Sequence, residues 1–150
     1  MKNINSRGKE IFDCCIIGLG YIGLPTATVL ASKNKIKVLG VDINETIIKK
    51  LNSGYSHFHE PNLDNLVSRV IKEKKLFTST TPYYAKVFVI SVPTPINETD
   101  SIPKPNLNFV FKAAESIAPY LEEGNTVILE STSPVGTTKN LSKFLAEKTG

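Results

Sequence analysis

Three glycines, Gly18, Gly20 and Gly23, stand in the order G-x-G-x-x-G directly behind the apolar run Phe12 to Ile17. Glycine marks turns in every kind of protein, but this spacing between a strand and a helix builds a seat for an anion. The first glycine permits a sharp turn, the second lets the backbone approach a pyrophosphate, and the third lets helix and strand pack closely. Amides left unpaired at the helix start, with the positive end of its dipole, hold the phosphates. Asp42 follows 19 residues after Gly23, at the end of a second apolar run, "IKVLGVD". A carboxylate there accepts hydrogen bonds from an adenosine ribose and repels a 2′-phosphate. The next residues, "INE", offer no arginine to receive one, and no G-K-[ST] follows the glycines. The pattern therefore favours NAD over NADP and over a mononucleotide P-loop. Asp42 also stands where it would cap the next helix, and the two roles are compatible.

Two further loops follow apolar runs, where ligands bind in open α/β sheets. "SVPTP" carries Thr94 and "ESTSPVGTT" carries Thr132. Their hydroxyls can bond a ribose, a nicotinamide amide or an ordered water, or serve as ordinary turn and capping groups. Glu130 ends an apolar run, as a buried hydrogen-bond partner or as a neighbour of the site; spacing leaves both open. The two cysteines, Cys14 and Cys15, are adjacent on the first run. Neighbours on a strand point to opposite faces, so they read as buried structural thiols of a reducing compartment rather than a disulfide. His57 and His59 lie two apart in "SHFHE" with no evident third and fourth ligand. They read as loop histidines, and no metal is expected.

The elements that must position these residues alternate along the chain. Strands are expected at 12–17, 36–42, near 76–79, at 86–92 and at 125–131. Between them lie amphipathic segments. The first begins near Ile22, where Pro25 falls in a first turn that has no amide bond to lose. The second is capped by Asn44 and ended by Gly54. A third carries Leu63, Leu66, Val67, Val70 and Ile71. A fourth, with Val110, Ala113, Ala114, Ile117 and Leu121, bends or ends around Pro119. The last carries Leu141, Phe144 and Leu145. The stretch "PTPINETDSIPKPN" reads as irregular. Continuous apolar strands alternating with helices predict a doubly wound parallel α/β sheet, Rossmann-type, covered on both faces, with strand order 3-2-1-4-5.

The chain has 150 residues, 41% hydrophobic and 21% charged, which suits one globular domain. Residues 1–10 read as a flexible polar tail and 11–150 as the dinucleotide-binding domain. The net charge of +4 is scattered, with no basic stripe interleaved with aromatics, so no nucleic-acid partner is expected. No run approaches the length of a membrane span, and the opening residues lack a secretory apolar core, which points to a cytoplasmic protein.

The motifs "GLGYIGLPTA", "GVDIN", "LNSG" followed by "HEPNL", "STTP", "VPTP", "PNLNFVFKAAESIAPYL" and "ILESTSPVGTT" occur in order from Cys15 to about Phe144. In this series the sequence resembles the UDP-glucose/GDP-mannose dehydrogenase family, with its closest likeness to the UDP-N-acetyl-D-mannosamine dehydrogenases. The resemblance implies an enzyme that oxidises the C6 alcohol of a UDP-sugar to a uronic acid with two NAD+, for surface polysaccharide synthesis. The reaction passes through a cysteine-bound thiohemiacetal and a thioester. It implies that Tyr21 and Ile22 touch the pyrophosphate through their amides and that Asp42 holds the adenosine ribose. Thr94 and Thr132 would contact the cofactor, Thr132 as an accessory nearest the chemistry.

By the same likeness the catalytic cysteine and lysine, most of the sugar site, the dimerisation helix and a sixth strand lie beyond residue 150. The chain is thus read as an N-terminal NAD-binding piece of a homodimeric enzyme, holding no catalytic residue and inactive alone. Ile47 stands where some relatives carry a basic residue, so no contact is assigned to it. Two alternatives remain: a dehydrogenase of UDP-glucose or another UDP-HexNAc, and a non-catalytic NAD-sensing module on the same fold.

Overall fold

The structure, a computed structural model, describes residues 8–33, 35–97 and 104–150. Most of the tail read over 1–10, and the middle of the proline-rich stretch, lie outside the described residues. At the described end of that tail, Glu10 meets the Lys37 ammonium at 2.8 Å.

Strand β1 (Phe12–Ile17) is followed by α1 (Gly23–Ser32), β2 (Val38–Val41), α2 (Glu45–Asn52), α3 (Leu63–Lys72), β3 (Leu76–Ser79) and β4 (Ala85–Ile90). After β5 (Ile96–Asn97) and β6 (Lys104–Pro105) come α4 (Asn108–Ile117), β7 (Thr126–Leu129) and α5 (Thr137–Thr149). The main sheet runs β3-β2-β1-β4-β7, all neighbours parallel. This is the expected order, 3-2-1-4-5, once the two-residue strands β5 and β6 are set aside.

Alternation along each strand divides the core in two. Cys14, Ile16, Val38 and Val89 face α1, α2 and α3, meeting Leu24, Ala27, Leu51, Val67 and Val70. Cys15, Ile17, Leu39, Phe88 and Ile90 face α4 and α5, meeting Val110, Ala114, Ile117, Leu141 and Leu145. The adjacent cysteines thus lie on opposite faces, both buried and unbridged. Burial pushes the Cys14 thiol up to about 11, with Asp13 and Glu130 adding to the rise. The Cys15 thiol is pushed up to about 12 for the same main reason. Both are protonated near neutral pH, and neither is an activated nucleophile.

The helix signals act largely as the residues suggest. Asn44 caps α2 by accepting from the Thr46 amide at 2.9 Å. Gly54, at φ +85°, turns the chain out of that helix. Pro25 lies in the first turn of α1, and α4 stops at Ile117, where a short 3-10 turn over Ala118–Tyr120 absorbs Pro119.

Two expectations need correction. The proline-rich stretch is not wholly irregular: Ile96 and Asn97 pair antiparallel with Pro105 and Lys104. Proline is tolerated in so short a ladder because it needs to supply only its carbonyl. Nor is every strand covered on both faces. On β7, Thr126 and Ile128 are exposed, Ile128 by 45%. Helices α1 to α3 spread over β1, β2 and β3, and none of them covers that side of β7.

Candidate functional site

The glycine turn, Asp42, and the loops after β4 and β7 all gather at the carboxyl ends of the strands. Gly18 takes φ +93°, a left-handed conformation that L side chains avoid. A Cβ there would also strike the Ser91 carbonyl of the loop after β4. At Gly23 a Cβ would run into the Gly18 carbonyl oxygen, so helix and turn approach as closely as only glycine allows. Gly20 is different: a Cβ built on it meets nothing within 4 Å. Its missing side chain leaves room on the open side of the turn, where a ligand would lie. The residue before α1, Ile22, supplies no side-chain cap. The Tyr21 and Ile22 amides donate no hydrogen bond among the described residues, leaving two N–H groups at the positive end of a helix.

Asp42 is tied into this turn. Its Oδ2 accepts from the Leu19 amide at 3.0 Å, and its Oδ1 accepts from the Asn44 amide at 2.9 Å. The carboxylate therefore braces the glycine turn from below and orders the entry to α2. Each oxygen keeps acceptor capacity for the hydroxyls of a ribose.

On the other side of the turn the two loops are clamped together. The Thr94 hydroxyl donates to the Thr132 carbonyl at 2.8 Å, and the Ser131 hydroxyl donates to the Val92 carbonyl at 2.7 Å. Thr94 is half-buried with its proton committed, so toward a ligand it can only accept. Thr132 is exposed, with its hydroxyl unengaged among the described residues. Glu130 is exposed, not buried, and accepts from the Thr26 hydroxyl at 3.0 Å. That bond ties the end of β7 to the first turns of α1.

Sequence reasoning missed three members of this arrangement. The Leu19 amide is a backbone donor and carries no residue signal. Thr26 and Glu130 are 104 residues apart, with nothing in the spacing to pair them. The third is Phe58, whose ring lies 4.5 Å from that of Tyr21. His57 stands on Phe58 edge-on at 4.8 Å, with its Nδ1 buried and unpartnered among the described residues. Burial lowers the His57 pKa; Asp42 opposes that shift and Lys50 adds to it. Among the described residues no three His, Cys, Asp or Glu side chains cluster to hold a metal, and no helix is long and apolar enough to cross a membrane.

A groove of about 600 Å³ runs between β7 and α5, lined by residues such as Val127, Leu141 and Leu145. None of the glycine-turn residues borders it. The glycine turn lies at the strand ends, apart from this groove.

Residues 12–150 match the UDP-glucose/GDP-mannose dehydrogenase family, NAD-binding domain. The chain belongs to this family. A UDP-N-acetyl-D-mannosamine dehydrogenase of Campylobacter jejuni is 52% identical over 134 residues, covering 89% of this chain and 32% of the relative. An NDP-N-acetyl-D-galactosaminuronic acid dehydrogenase of Ralstonia nicotianae is 47% identical, covering 87% of this chain and 30% of the relative. Among solved structures, the UDP-N-acetyl-mannosamine dehydrogenase of Staphylococcus aureus superposes with a TM-score of 0.84 at 42% identity, over 89% of this chain and 32% of its own. The chain spans about a third of the length of these relatives. The part it spans is the NAD-binding domain, with its Rossmann-type sheet.

Proposed function

We propose that this chain is the cofactor-binding part of an enzyme that oxidises the C6 alcohol of a UDP-sugar, UDP-N-acetyl-D-mannosamine first, to the uronic acid with two NAD+. The observation that carries the reading is the open face at Gly20, flanked by Asp42 and by the Tyr21 and Ile22 amides, unpaired among the described residues. These groups fit a dinucleotide: amides for the pyrophosphate, a carboxylate for the adenosine ribose, and Thr132 with Thr94 on the nicotinamide side. Bound NAD+ would accept the hydride that leaves the sugar carbon. The chain's own residues bind and orient that cofactor. Its two cysteines are buried, protonated thiols in the first strand, so the nucleophilic thiol such chemistry needs is not among them.

The choice of sugar rests on the relatives, whose names divide between N-acetylmannosamine and N-acetylgalactosaminuronic acid at 52% and 47% identity. The sugar derivative with the higher identity is taken as the leading substrate. The same reading makes the whole enzyme a cytoplasmic homodimer serving polysaccharide synthesis, and two unbridged cysteines suit a reducing compartment. The test is NADH formation from a panel of UDP-sugars. The longer protein should reduce NAD+ with UDP-N-acetyl-D-mannosamine, two equivalents per sugar, and this chain alone should form none. Turnover by this chain alone, or by the longer protein only with UDP-glucose, would contradict the reading.

A further inference from the structure

The connection between α2 and α3 is built as a fixed arm reaching back to the glycine turn. Gly54 turns the chain out of α2, and the Ser56 amide then donates to Asp64 Oδ1 at 2.6 Å. That backbone bond holds the Asp64 carboxyl below its usual range. The Ser56 hydroxyl also donates to the Phe58 carbonyl, and the Leu63 amide donates to the Glu60 carbonyl at 3.1 Å. The arm is thus bonded from within at both ends.

Its outward contact is a stack of three rings. Phe58 is half-buried against the core, with its ring tilted 39° to that of Tyr21 and met edge-on by His57. Tyr21 is itself 75% exposed and lies in the middle of the glycine turn. A residue so exposed has little else to fix it, and its amide is one of the two that face the pyrophosphate seat. We infer that Phe58 is a positioning residue: through the Tyr21 ring it holds the Tyr21 and Ile22 amides in their phosphate-binding direction. The inference rests on the NAD reading above but assigns a residue outside the glycine motif.

A brace on the phosphate amides and general support of the fold differ in which ligands they affect. The measurement is calorimetric titration of the wild type, Phe58→Ala, Tyr21→Ala and the double variant with NAD+, ADP-ribose and adenosine. An aromatic pair of this kind should be worth about three- to tenfold in affinity. Phe58→Ala should weaken NAD+ and ADP-ribose by that factor and leave adenosine, which has no pyrophosphate, unchanged. Phe58→Tyr should restore both. Tyr21→Ala removes an exposed ring, leaves no cavity, and should show the same loss even if Phe58→Ala does not fold. In the double variant the losses should not add. Additive losses, equal loss for adenosine, or unchanged NAD+ binding by Tyr21→Ala would overturn the brace. Absence of NAD+ binding by the wild type would instead overturn the NAD reading itself.

Discussion

Asp42 illustrates how one side chain ties two segments together. Its two oxygens take the Leu19 and Asn44 amides, so the carboxylate proposed to read the ribose also joins the glycine turn to the entry of α2. The capping role that its position after "IKVLGV" suggests falls instead to Asn44, which accepts from the Thr46 amide. His57, by contrast, looks like a plain loop histidine in sequence, yet its Nδ1 is buried without a partner among the described residues. Its proton affinity is lowered chiefly by burial, so the unfolded chain binds the proton more readily than the folded one. Its neutral form is favoured in the fold. The stability it supports is complete above about pH 6.5 and is lost as pH falls through the lower folded-state value. Urea midpoints should fall between about pH 7.5 and 5.5 in the wild type and fall less in His57→Gln. Equal losses in both proteins would remove His57 from the account.

Among the elements, the junction of β1 and α1 shows what was legible and why. The three glycines announce the turn because backbone approach and left-handed φ admit few other residues. Asn44 and Gly54 announce the ends of α2 for similar local reasons. The structure gives the three glycines different jobs, which their common residue type conceals. Gly23→Ala should strain the helix–strand contact, costing about 1–3 kcal/mol of stability as an overpacked site does. Gly20→Ala meets no neighbour, so it should leave the denaturation midpoint unchanged yet weaken NAD+ by projecting into the ligand's space. Denaturation and titration of the two variants separate these effects; a large stability loss in Gly20→Ala would show that the turn is packed rather than open. The hairpin of β5 and β6 was not legible. Its ladder rests on backbone pairing across a proline-rich stretch, and side-chain patterns do not report that.

For the molecule as a whole, strand order and layer assignment follow from apolar runs alternating with amphipathic segments, because a buried parallel sheet has few other solutions. The exposed face of β7 did not follow. Thr126 and Ile128 alternate with half-buried Val127 and Leu129 as on any half-covered strand, and coverage is a property of the assembled layers. Contacts between distant loops were equally hidden. Thr94 on Thr132 and Thr26 on Glu130 arise only when the strand ends are brought side by side. The glycine turn and Asp42 were legible because their spacing carries a mechanism. The clamp and the ring stack were not, because they depend on tertiary neighbours.

Calorimetric titration of the folded chain with NAD+ and NADP+ tests the proposed NAD seat at the glycine turn and the choice of Asp42 against a 2′-phosphate. NAD+ should bind clearly and NADP+ at least about tenfold more weakly, a gap of roughly 1.4 kcal/mol that Asp42→Asn narrows. Equal binding of the two cofactors would contradict the role of Asp42, and binding of neither by a folded chain would contradict the seat.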